Sequence, residues 1–267
     1  MRLEISVLSK PGGRTTNEDA YGFWAGAGVC FCVLCDGAGG QGGGDVASKL
    51  AVSTTLAWFQ DSPECSGAAI VGALRSANRA IMQQQGTESR LANMRATAVV
   101  LAVDANHRSA AWGHLGDSRL YCFRDHRVVT QTKDHSVVQN MVDAGYIKAE
   151  DLRSADQRSA LFAALGQEEN FEPRVAQTAF ALADGDAFLL CTDGFWEYIE
   201  EAAMERALDE AASSEQWLRS MEVQVAERGG KTQDNYSALA VWCSEPPPGT
   251  EENGDPRAGS TTGSISL

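Results

Sequence analysis

The chain has 267 residues, 43% of them hydrophobic, and a formal net charge of −14. A chain of this length can bury one large core, so we expect a single domain, and we expect it to be a monomer. The negative charge, without any run rich in Lys and Arg, argues against a nucleic-acid partner. Residues 1–9 alternate polar and apolar and no apolar stretch approaches about 18 residues, so we expect no membrane partner and a cytoplasmic protein.

Seven cysteines are present, an odd number without the spacing of a disulfide framework, which is typical of a reducing compartment. Cys30, Cys32 and Cys35 could be interpreted as part of a zinc cluster. They lie in a continuous apolar run, however, and no second Cys or His pair follows at zinc spacing. We therefore expect these cysteines to be small buried hydrophobic residues.

Apolar periodicity divides the chain into strands and helices. Alternating or short apolar runs predict strands over residues 1–9, 29–34, 96–103, 110–115, 120–123, 187–191 and 236–243. Helical spacing predicts helices over residues 45–59, 68–85, 200–212 and 214–228. A further helix is predicted to begin after Asp134, a typical capping residue, and to end at Gly145. This order favours antiparallel sheets covered by helices.

Two segments lack these patterns. Residues 146–163 are polar and irregular, which indicates a mobile excursion over the surface. Residues 244–267 contain four of the seven prolines, with Gly, Ser, Thr and Glu and almost no large apolar residue. Such a composition cannot bury enough apolar surface to order itself, so we expect a disordered tail there.

Six acidic residues stand in short contexts flanked by Gly or Asn. Three of them, Asp36, Asp117 and Asp193, directly follow apolar runs, and the others belong to Asn17-Glu18-Asp19 and Asp234-Asn235. A lone Asp-Gly is usually a turn, but Asp36 is followed by a glycine-rich run and a helix, not by a second alternating strand. Glycines of this kind let the backbone approach a ligand closely. Mg²⁺ and Mn²⁺ take oxygen ligands of this type beside a phosphate substrate, so we predict a carboxylate-bound metal site.

Ordered along the chain, these residues form a set of motifs. The set comprises Arg14 with Asn17-Glu18-Asp19, Asp36-Gly37-Ala38-Gly39-Gly40, Gly116-Asp117-Ser118-Arg119, Asp134-His135-Ser136, Ala164-Leu165-Gly166, Asp193-Gly194 and Asp234-Asn235. It resembles the motifs of the metal-dependent serine/threonine protein phosphatases, the phosphatase 2C-like or PPM family, in its compact bacterial form. The resemblance extends through nearly the whole chain to about Cys243.

The resemblance implies an α+β fold, a four-layer α-β-β-α sandwich of two antiparallel sheets flanked by helices. A catalytic domain would span residues 1–243, with a flap at about 135–165 that contacts the substrate, and the tail would follow at 244–267. By position, Asp36 would bridge two ions of Mn²⁺ or Mg²⁺ and the Gly37 carbonyl would bind one of them. Asp193 and Asp234 would bind the other ion, and Glu18 and Asp19 would act through metal-bound waters. Asp117 would form a third, weaker ion site with Asp193. Arg14 would bind the phosphate.

The expected function is hydrolysis of phosphoserine and phosphothreonine in proteins, opposing a cytoplasmic Ser/Thr kinase. Two metal ions about 3.5–4 Å apart can activate a water for in-line attack and neutralise the phosphoryl oxygens, so no protein nucleophile is needed. One alternative is a catalytically weak phosphoprotein-binding regulator, which would typically have lost one of the acids. Another is the phosphatase of a sigma-factor partner switch, which normally carries sensor or membrane modules.

Two positions depart from the family pattern. Ala38 stands where many relatives carry a His proposed as a general acid, or a Met, so no side chain there can protonate the leaving group. In Met94-Arg95-Ala96-Thr97, Arg95 and Ala96 replace the usual Gly and Thr. Arg119 is expected to pair with a nearby carboxylate. The sequence supports two interpretations of His135, as a residue at the start of a helix or as a structural residue at the flap hinge. His107, His114 and His126 are expected to be surface or hydrogen-bonded residues.

Overall fold

The structure, a computed structural model, describes residues 1–26, 28–39 and 43–245, and the backbone of 261–262. Its strands are β1 (Arg2–Lys10), β2 (Ala20–Gly26), β3 (Val29–Cys35), β4 (Gly37–Ala38), β5 (Arg95–Ala96), β6 (Ala98–Asp104), β7 (Ser109–Leu115), β8 (Arg119–Arg124), β9 (Arg127–Gln131), β10 (Arg174–Val175), β11 (Phe180–Ala181), β12 (Ala187–Cys191), β13 (Tyr236–Ser244) and β14 (Thr261–Thr262). Its α-helices are α1 (Gly44–Asp61), α2 (Gly67–Gln85), α3 (Val137–Asp143), α4 (Asp193–Trp196), α5 (Glu201–Glu210) and α6 (Ser214–Gly229).

Two antiparallel sheets form the centre of the fold. One has the strand order β1-β13-β12-β8-β9, and the other has the order β7-β6-β3-β2-β14, with β10 and β11 both pairing with β7. Helices α1 and α2 pack on the outer face of the second sheet, and α5 and α6 pack on the outer face of the first. The predicted α-β-β-α sandwich is therefore confirmed.

Strand β3 shows why the sequence reads as a continuous apolar run. Its side chains alternate between two buried surfaces: Cys32 and Leu34 face the opposite sheet, whereas Phe31 and Val33 face the helices. Phe31 stacks on Phe59 of α1 with ring centroids 4.1 Å apart. A strand buried on both faces has no polar side to alternate with.

All seven cysteines are free, and Cys30, Cys32 and Cys35 are fully buried. Cys30 and Cys32 contact each other in the core between the sheets, with their Sγ atoms 3.8 Å apart, and Cys35 belongs to the core beneath the helices. These positions confirm that the three residues serve as buried hydrophobic groups.

Strands β2 and β9 were not predicted, and the strand predicted over residues 96–103 is divided at Thr97. Residues before Thr97 pair with β4, and residues after it pair with β3. The interruption arises because the Thr97 backbone N–H donates to the Asp36 carbonyl, 2.8 Å away, outside either strand ladder.

The prediction that Asp134 caps a helix is wrong. Ser136 is the N-cap of α3, and its hydroxyl accepts the backbone N–H of Gln139 at 3.1 Å. Asp134 is instead buried against Arg119, where a charged partner is available. The helix ends as predicted, because Gly145 takes a positive φ of 78°.

The segment 135–165 is joined to the body of the protein at both ends. The N–H of Phe162 donates to the His135 carbonyl at 3.0 Å, and the N–H of Leu165 donates to the Ala96 carbonyl at 2.7 Å. A short 3-10 helix, Ala149–Ser154, lies between these anchors and buries Leu152. The assignment of this segment as a substrate-contacting flap stays a prediction.

The predicted tail lies mostly outside the described residues, at 246–260 and 263–267. Ser244, its first residue, belongs to β13, and Thr261–Thr262 pairs with Trp24 and Ala25 at the edge of β2. In the part of the chain that the structure describes, no helix combines the length and apolar character needed to cross a bilayer.

Candidate active site

The predicted acids gather at one edge of the sandwich, where elements of both sheets begin or end. Asp36 follows β3 and Asp193 follows β12, so each sheet contributes one of them from a strand end. The remaining acids lie in the connections beside these ends: Glu18 and Asp19 before β2, Asp117 between β7 and β8, and Asp234 before β13.

Asp19 is held in a buried position by residues from the opposite end of the chain. Asp19 is only 6% exposed, and its Oδ2 accepts a hydrogen bond from Thr192 Oγ1 at 3.0 Å. The same Thr192 oxygen accepts the backbone N–H of Ser237 at 2.9 Å. Asp19 Oδ1 is buried and has no hydrogen-bond partner among the described residues. One carboxylate oxygen of Asp19 is therefore fixed while the other remains available to a ligand.

Thr97 fixes the backbone of Asp36 on both sides. The Asp36 N–H donates to Thr97 Oγ1 at 3.0 Å, and the Asp36 carbonyl accepts the Thr97 N–H at 2.8 Å. Thr97 Oγ1 also lies 2.7 Å from Ser118 Oγ, next to Asp117. This arrangement connects two of the predicted metal-binding aspartates through one threonine.

The residue after Asp36 must be glycine. A Cβ on Gly37 would collide with the backbone carbonyl of Gly44 at the start of α1 and with the carbonyl of Glu18. The N–H of Gly37 donates to that Glu18 carbonyl at 3.2 Å. The close approach of three backbone segments explains the Asp-Gly sequence without invoking a turn.

Asn235 joins the N-terminal loop to the start of β13. Its Oδ1 accepts the N–H of Glu18 at 2.8 Å, and its Nδ2 donates to the carbonyls of Pro11 and Thr16, both at 2.9 Å. The loop between these contacts carries Arg14. Asn235 therefore positions the predicted phosphate-binding arginine relative to its neighbour Asp234.

Burial and mutual repulsion raise the pKa values of Asp19 and Asp193. Burial raises the pKa of Asp19 to about 7, and the charges of Asp193 and Asp234 act in the same direction. Burial, followed by the charges of Glu197 and Asp234, raises the pKa of Asp193 to about 6. Each acid therefore resists ionisation unless positive charge is placed beside it.

Asp36 lies at the centre of this repulsion. Burial raises its pKa well above the usual range, and the charges of Asp19, Asp193, Asp117 and Asp234 add to the effect. The electrostatic coupling shows that these five aspartates occupy one neighbourhood. The pKa values of Asp117 and Glu18 are also raised, in both cases first by burial.

The residues present fit divalent cations. Asp19 Oδ1 and Asp193 Oδ1 are buried oxygens without a hydrogen-bond partner among the described residues, and a bound cation would satisfy both. In the described ranges, no three His, Cys, Asp or Glu side chains converge tightly enough to enclose an ion by themselves. Carboxylate oxygens are the ligands that Mg²⁺ and Mn²⁺ prefer, together with several waters.

Arg119 and Asp134 form a buried ion pair next to this edge. Arg119 donates from Nε and Nη2 to the two carboxylate oxygens of Asp134, at 2.8 and 2.9 Å, and its guanidinium lies 3.4 Å from the ring centre of Trp196. Trp196 in turn donates from Nε1 to the Asp117 carbonyl at 2.9 Å. The predicted pairing of Arg119 with a local carboxylate is confirmed, and the pair supports the segment that carries Asp117.

The histidines take structural or surface positions. His135 is buried at the base of the flap, its Nδ1 accepts the N–H of Gly116 at 3.2 Å, and its ring lies 4.8 Å from that of His114. His114 Nε2 lies 2.8 Å from the Lys133 carbonyl. His107 and His126 pair with surface aspartates, as expected for hydrogen-bonded surface residues.

Sequence reasoning missed several residues that shape the site. Thr192 and Glu197 hold or perturb the predicted acids, and each lies within four residues of Asp193, whereas Asn235 belongs to a predicted motif but its structural role was not predicted. Proximity in sequence to Asp193 or Asp234 was the available signal. At Ala38, the exposed methyl group has no proton to donate, as the sequence indicated.

Comparison with known proteins identifies the family. The profile of the family described as Protein phosphatase 2C matches residues 12–233. The serine/threonine protein phosphatase PstP of Mycobacterium tuberculosis is 34% identical over 231 residues, which cover 85% of this chain and 42% of PstP. Protein phosphatase PhpP of Streptococcus pneumoniae is 30% identical over 203 residues, which cover 74% of this chain and 80% of PhpP.

A solved structure gives the same result. The catalytic domain of PstP in complex with two manganese ions is 32% identical, with a TM-score of 0.75, and the match covers 91% of this chain and 99% of that domain. The chain belongs to the protein phosphatase 2C family of metal-dependent serine/threonine phosphatases, in its bacterial form. It spans less than half the length of the mycobacterial relative that it matches.

Proposed function

We propose that this protein hydrolyses phosphoserine and phosphothreonine in other proteins, with two ions of Mn²⁺ or Mg²⁺, and opposes a Ser/Thr kinase in the cytoplasm. The observation that carries the proposal is the cluster of aspartates around Asp36, in which Asp19 and Asp193 each keep a buried oxygen without a hydrogen-bond partner among the described residues. The names of the relatives, serine/threonine protein phosphatases, support the substrate class. Seven free cysteines support a reducing compartment.

Asp36, the Gly37 carbonyl, Asp193 and Asp234 would hold the two ions, with Glu18 and Asp19 acting through waters and Asp117 with Asp193 forming a third, weaker site. When bound, such ions lower the pKa of water and offset the charge of phosphoryl oxygens. The protein itself fixes the donor positions: Thr97 locks the Asp36 backbone, and Thr192 orients Asp19.

Arg14 would bind the phosphate. The Arg14 side chain is 58% exposed and pairs with Asp234, so its guanidinium is accessible to an incoming phosphoryl group. A planar guanidinium suits the tetrahedral oxygens of phosphate, which accept parallel hydrogen bonds from it. The flap would contact the polypeptide of the substrate.

A catalytically weak phosphoprotein-binding regulator of the same fold is the alternative. Such a protein would be expected to lack at least one of the ion-binding acids. Here Asp36, Asp193 and Asp234 are all present and lie in one neighbourhood, which favours catalysis.

The test is hydrolysis of a phosphothreonine peptide by the purified protein after chelator treatment, with Mn²⁺ or Mg²⁺ added back in separate assays. We expect turnover that depends on the added ion and vanishes with chelator. Phosphopeptide binding without turnover at any ion concentration would favour the regulator and contradict the proposal.

A further inference from the structure

A groove runs beside the candidate active site, between the short β4–β5 pair and the end of the flap. Its volume is about 410 Å³, within the range of ligand pockets. The lining residues are Ala38, Arg95, Ala96, Thr97, Ser159, Leu161, Ala163, Ala164 and Gln167. Two of them connect the groove to the site directly: Ala38 is two residues from Asp36, and Thr97 bonds the Asp36 backbone.

Arg95 gives this groove its charge, since the other lining residues are neutral. In the β4–β5 pair Arg95 is the direct cross-strand partner of Ala38, so both side chains lie on the same face of this small ladder. Arg95 is half-buried and donates from Nη1 to the side-chain oxygen of Gln167, a neutral acceptor. Among the described residues it forms no ion pair.

The positive charge of Arg95 contrasts with the negative charge of the protein as a whole. The chain carries a net charge of −14, which disfavours the approach of an acidic peptide. Arg95 places positive charge within the wall of the groove, where an arriving acidic side chain could form an ion pair in exchange for the neutral contact with Gln167. A charge-assisted hydrogen bond is stronger than a neutral one.

The walls of the groove are also fixed. Ala96 and Leu165 exchange backbone hydrogen bonds of 3.2 and 2.7 Å beneath it, and Gln167 Nε2 donates to the Phe162 carbonyl at 3.3 Å. Arg95 is thus presented from a rigid floor and not from a mobile loop.

We propose that this groove receives the polypeptide next to the phosphorylated residue and that Arg95 selects an acidic side chain there. The inference rests on the proposed function, because it names the substrates that the same site would prefer. It predicts a phosphatase that favours phosphothreonine with a neighbouring Glu or Asp, in spite of the acidity of the protein as a whole.

The experiment compares phosphothreonine peptides with an otherwise all-Ala sequence. Four peptides each carry one Glu, at one of the two positions on either side of the phosphothreonine, and matching peptides carry Lys. With Mn²⁺ present, we expect at least one Glu peptide to exceed the Ala peptide by roughly 10-fold in kcat/KM, the scale of one charge-assisted contact. Arg95→Ala should bring that ratio close to one, and Arg95→Glu should invert it in favour of Lys at the same position.

Two control variants separate charge from structure. Gln167→Ala removes the tether of Arg95 but keeps its charge, so it should retain the preference for Glu, and Arg95→Lys should retain part of it. Arg75→Ala removes an exposed arginine from α2 and should leave the ratio unchanged. If Gln167→Ala and Arg95→Ala lost the preference for Glu equally, Arg95 would act by holding the flap in place and not by binding an acidic side chain. That result would overturn the inference.

The ratio of kcat/KM between the Glu and Ala peptides tests the inference, whereas hydrolysis of any peptide tests the proposed function. No preference for any Glu peptide in the wild type, or a preference that survives Arg95→Glu, would overturn the groove proposal while the phosphatase activity stands. If no peptide is hydrolysed, the proposed function is wrong. Fluorescence anisotropy with the same labelled peptides would then test whether the groove still prefers Glu.

Discussion

Arg14 donates from Nη2 to Oδ2 of Asp234 at 2.9 Å, which places the predicted phosphate-binding arginine on a predicted metal-binding aspartate. Both side chains are at least half exposed. An exposed ion pair of this kind contributes little to stability, so it can open at small cost. The pair holds the guanidinium near the site in the absence of substrate.

Replacing Arg14 with Ala should impair phosphate binding more than stability. We expect a higher KM for small phosphoesters and a fall in kcat/KM of roughly 10- to 100-fold, the scale of one charge-assisted bidentate contact. Steady-state kinetics with p-nitrophenyl phosphate measure this. Arg79→Ala, at an exposed position on α2, is the matched control. A change in kcat with an unaltered KM would contradict a role in ground-state phosphate binding.

Asp193→Asn should cost at least about 10³-fold in turnover with Mn²⁺, because it removes one negative oxygen donor from the shared site. Calorimetric titration of the chelator-treated variant should show weaker Mn²⁺ binding. Asp61→Asn, an exposed carboxylate at the end of α1, should behave like the wild type in both measurements. Near-normal turnover of Asp193→Asn would remove Asp193 from the set of ligands.

The chelator-treated protein should become less stable as the pH rises. The pKa of Asp19 is 3.8 in its unperturbed state and about 7 in the fold, so the folded state binds this proton more tightly than the unfolded state. The resulting stability is complete below pH 3.8 and is lost as the pH rises to about 7. Asp193 adds a loss of the same sign up to about pH 6.

Thermal unfolding in chelator at pH 5 and pH 8 measures this effect. We expect Tm to be lower at pH 8 by about 4 to 8 °C, the change that about 2 kcal/mol produces in a domain of this size. Asp19→Asn should flatten the profile, and saturating Mn²⁺ should reduce the loss because it offsets the ionised carboxylates. A chelator-treated wild type whose Tm is unchanged or higher at pH 8 would be inconsistent with protonated aspartates in the fold.

Ala38→His should add a proton donor near the leaving group. A general acid typically contributes about 10²- to 10⁴-fold, and p-nitrophenolate hardly needs one, so the variant should accelerate alkyl phosphoesters more than p-nitrophenyl phosphate. Its pH profile should gain a titration between about pH 6 and 7. Ala38→Asn controls for side-chain size. Equal effects on both substrates would mean that leaving-group protonation is not limited at this position.

Asp134→Ala should destabilise the protein strongly, because it leaves the Arg119 guanidinium buried without its carboxylate. Both side chains are at most 5% exposed, and breaking such a pair costs about 3–5 kcal/mol. Urea unfolding measures the free energy of unfolding of each variant. Asp209→Ala breaks the exposed ion pair with Arg127 and should change the free energy of unfolding little. If the two variants were equally stable, Asp134 would not be compensating a buried charge.

The sequence predicted antiparallel sheets covered by helices from its apolar periodicity and a carboxylate metal site from apolar runs that end in aspartate, and it predicted the four-layer sandwich only through the resemblance of its motifs to the family. It could not predict the division of the strand at Thr97, since that depends on a hydrogen bond to Asp36, 61 residues away. Asp134 shows the same limit. Its local context is that of a helix cap, and only the tertiary proximity of Arg119 makes burial in an ion pair preferable.

Strand β9 was missed for a different reason. Its side chains alternate between exposed and partly buried positions at the sheet edge, so few large apolar residues mark it. Strand β2 pairs along its whole length with β3, but Gly22 and Gly26 weaken its pattern. The roles of the individual acids are a third kind of gap, because they depend on ions that the sequence does not encode.

Strand β13 lies between β1 and β12, although it follows both of them in the chain. During synthesis, the first-made strand of this sheet must therefore wait for a partner made more than 200 residues later, and Asp234 and Asn235 arrive with that partner. A nascent chain that has not reached β13 would lack the strand that joins β1 to β12, and with it part of the acidic cluster. We therefore expect the acidic cluster to be complete only after β13 has been made, and folding to be slow because the contacts between β1 and β13 are distant in sequence.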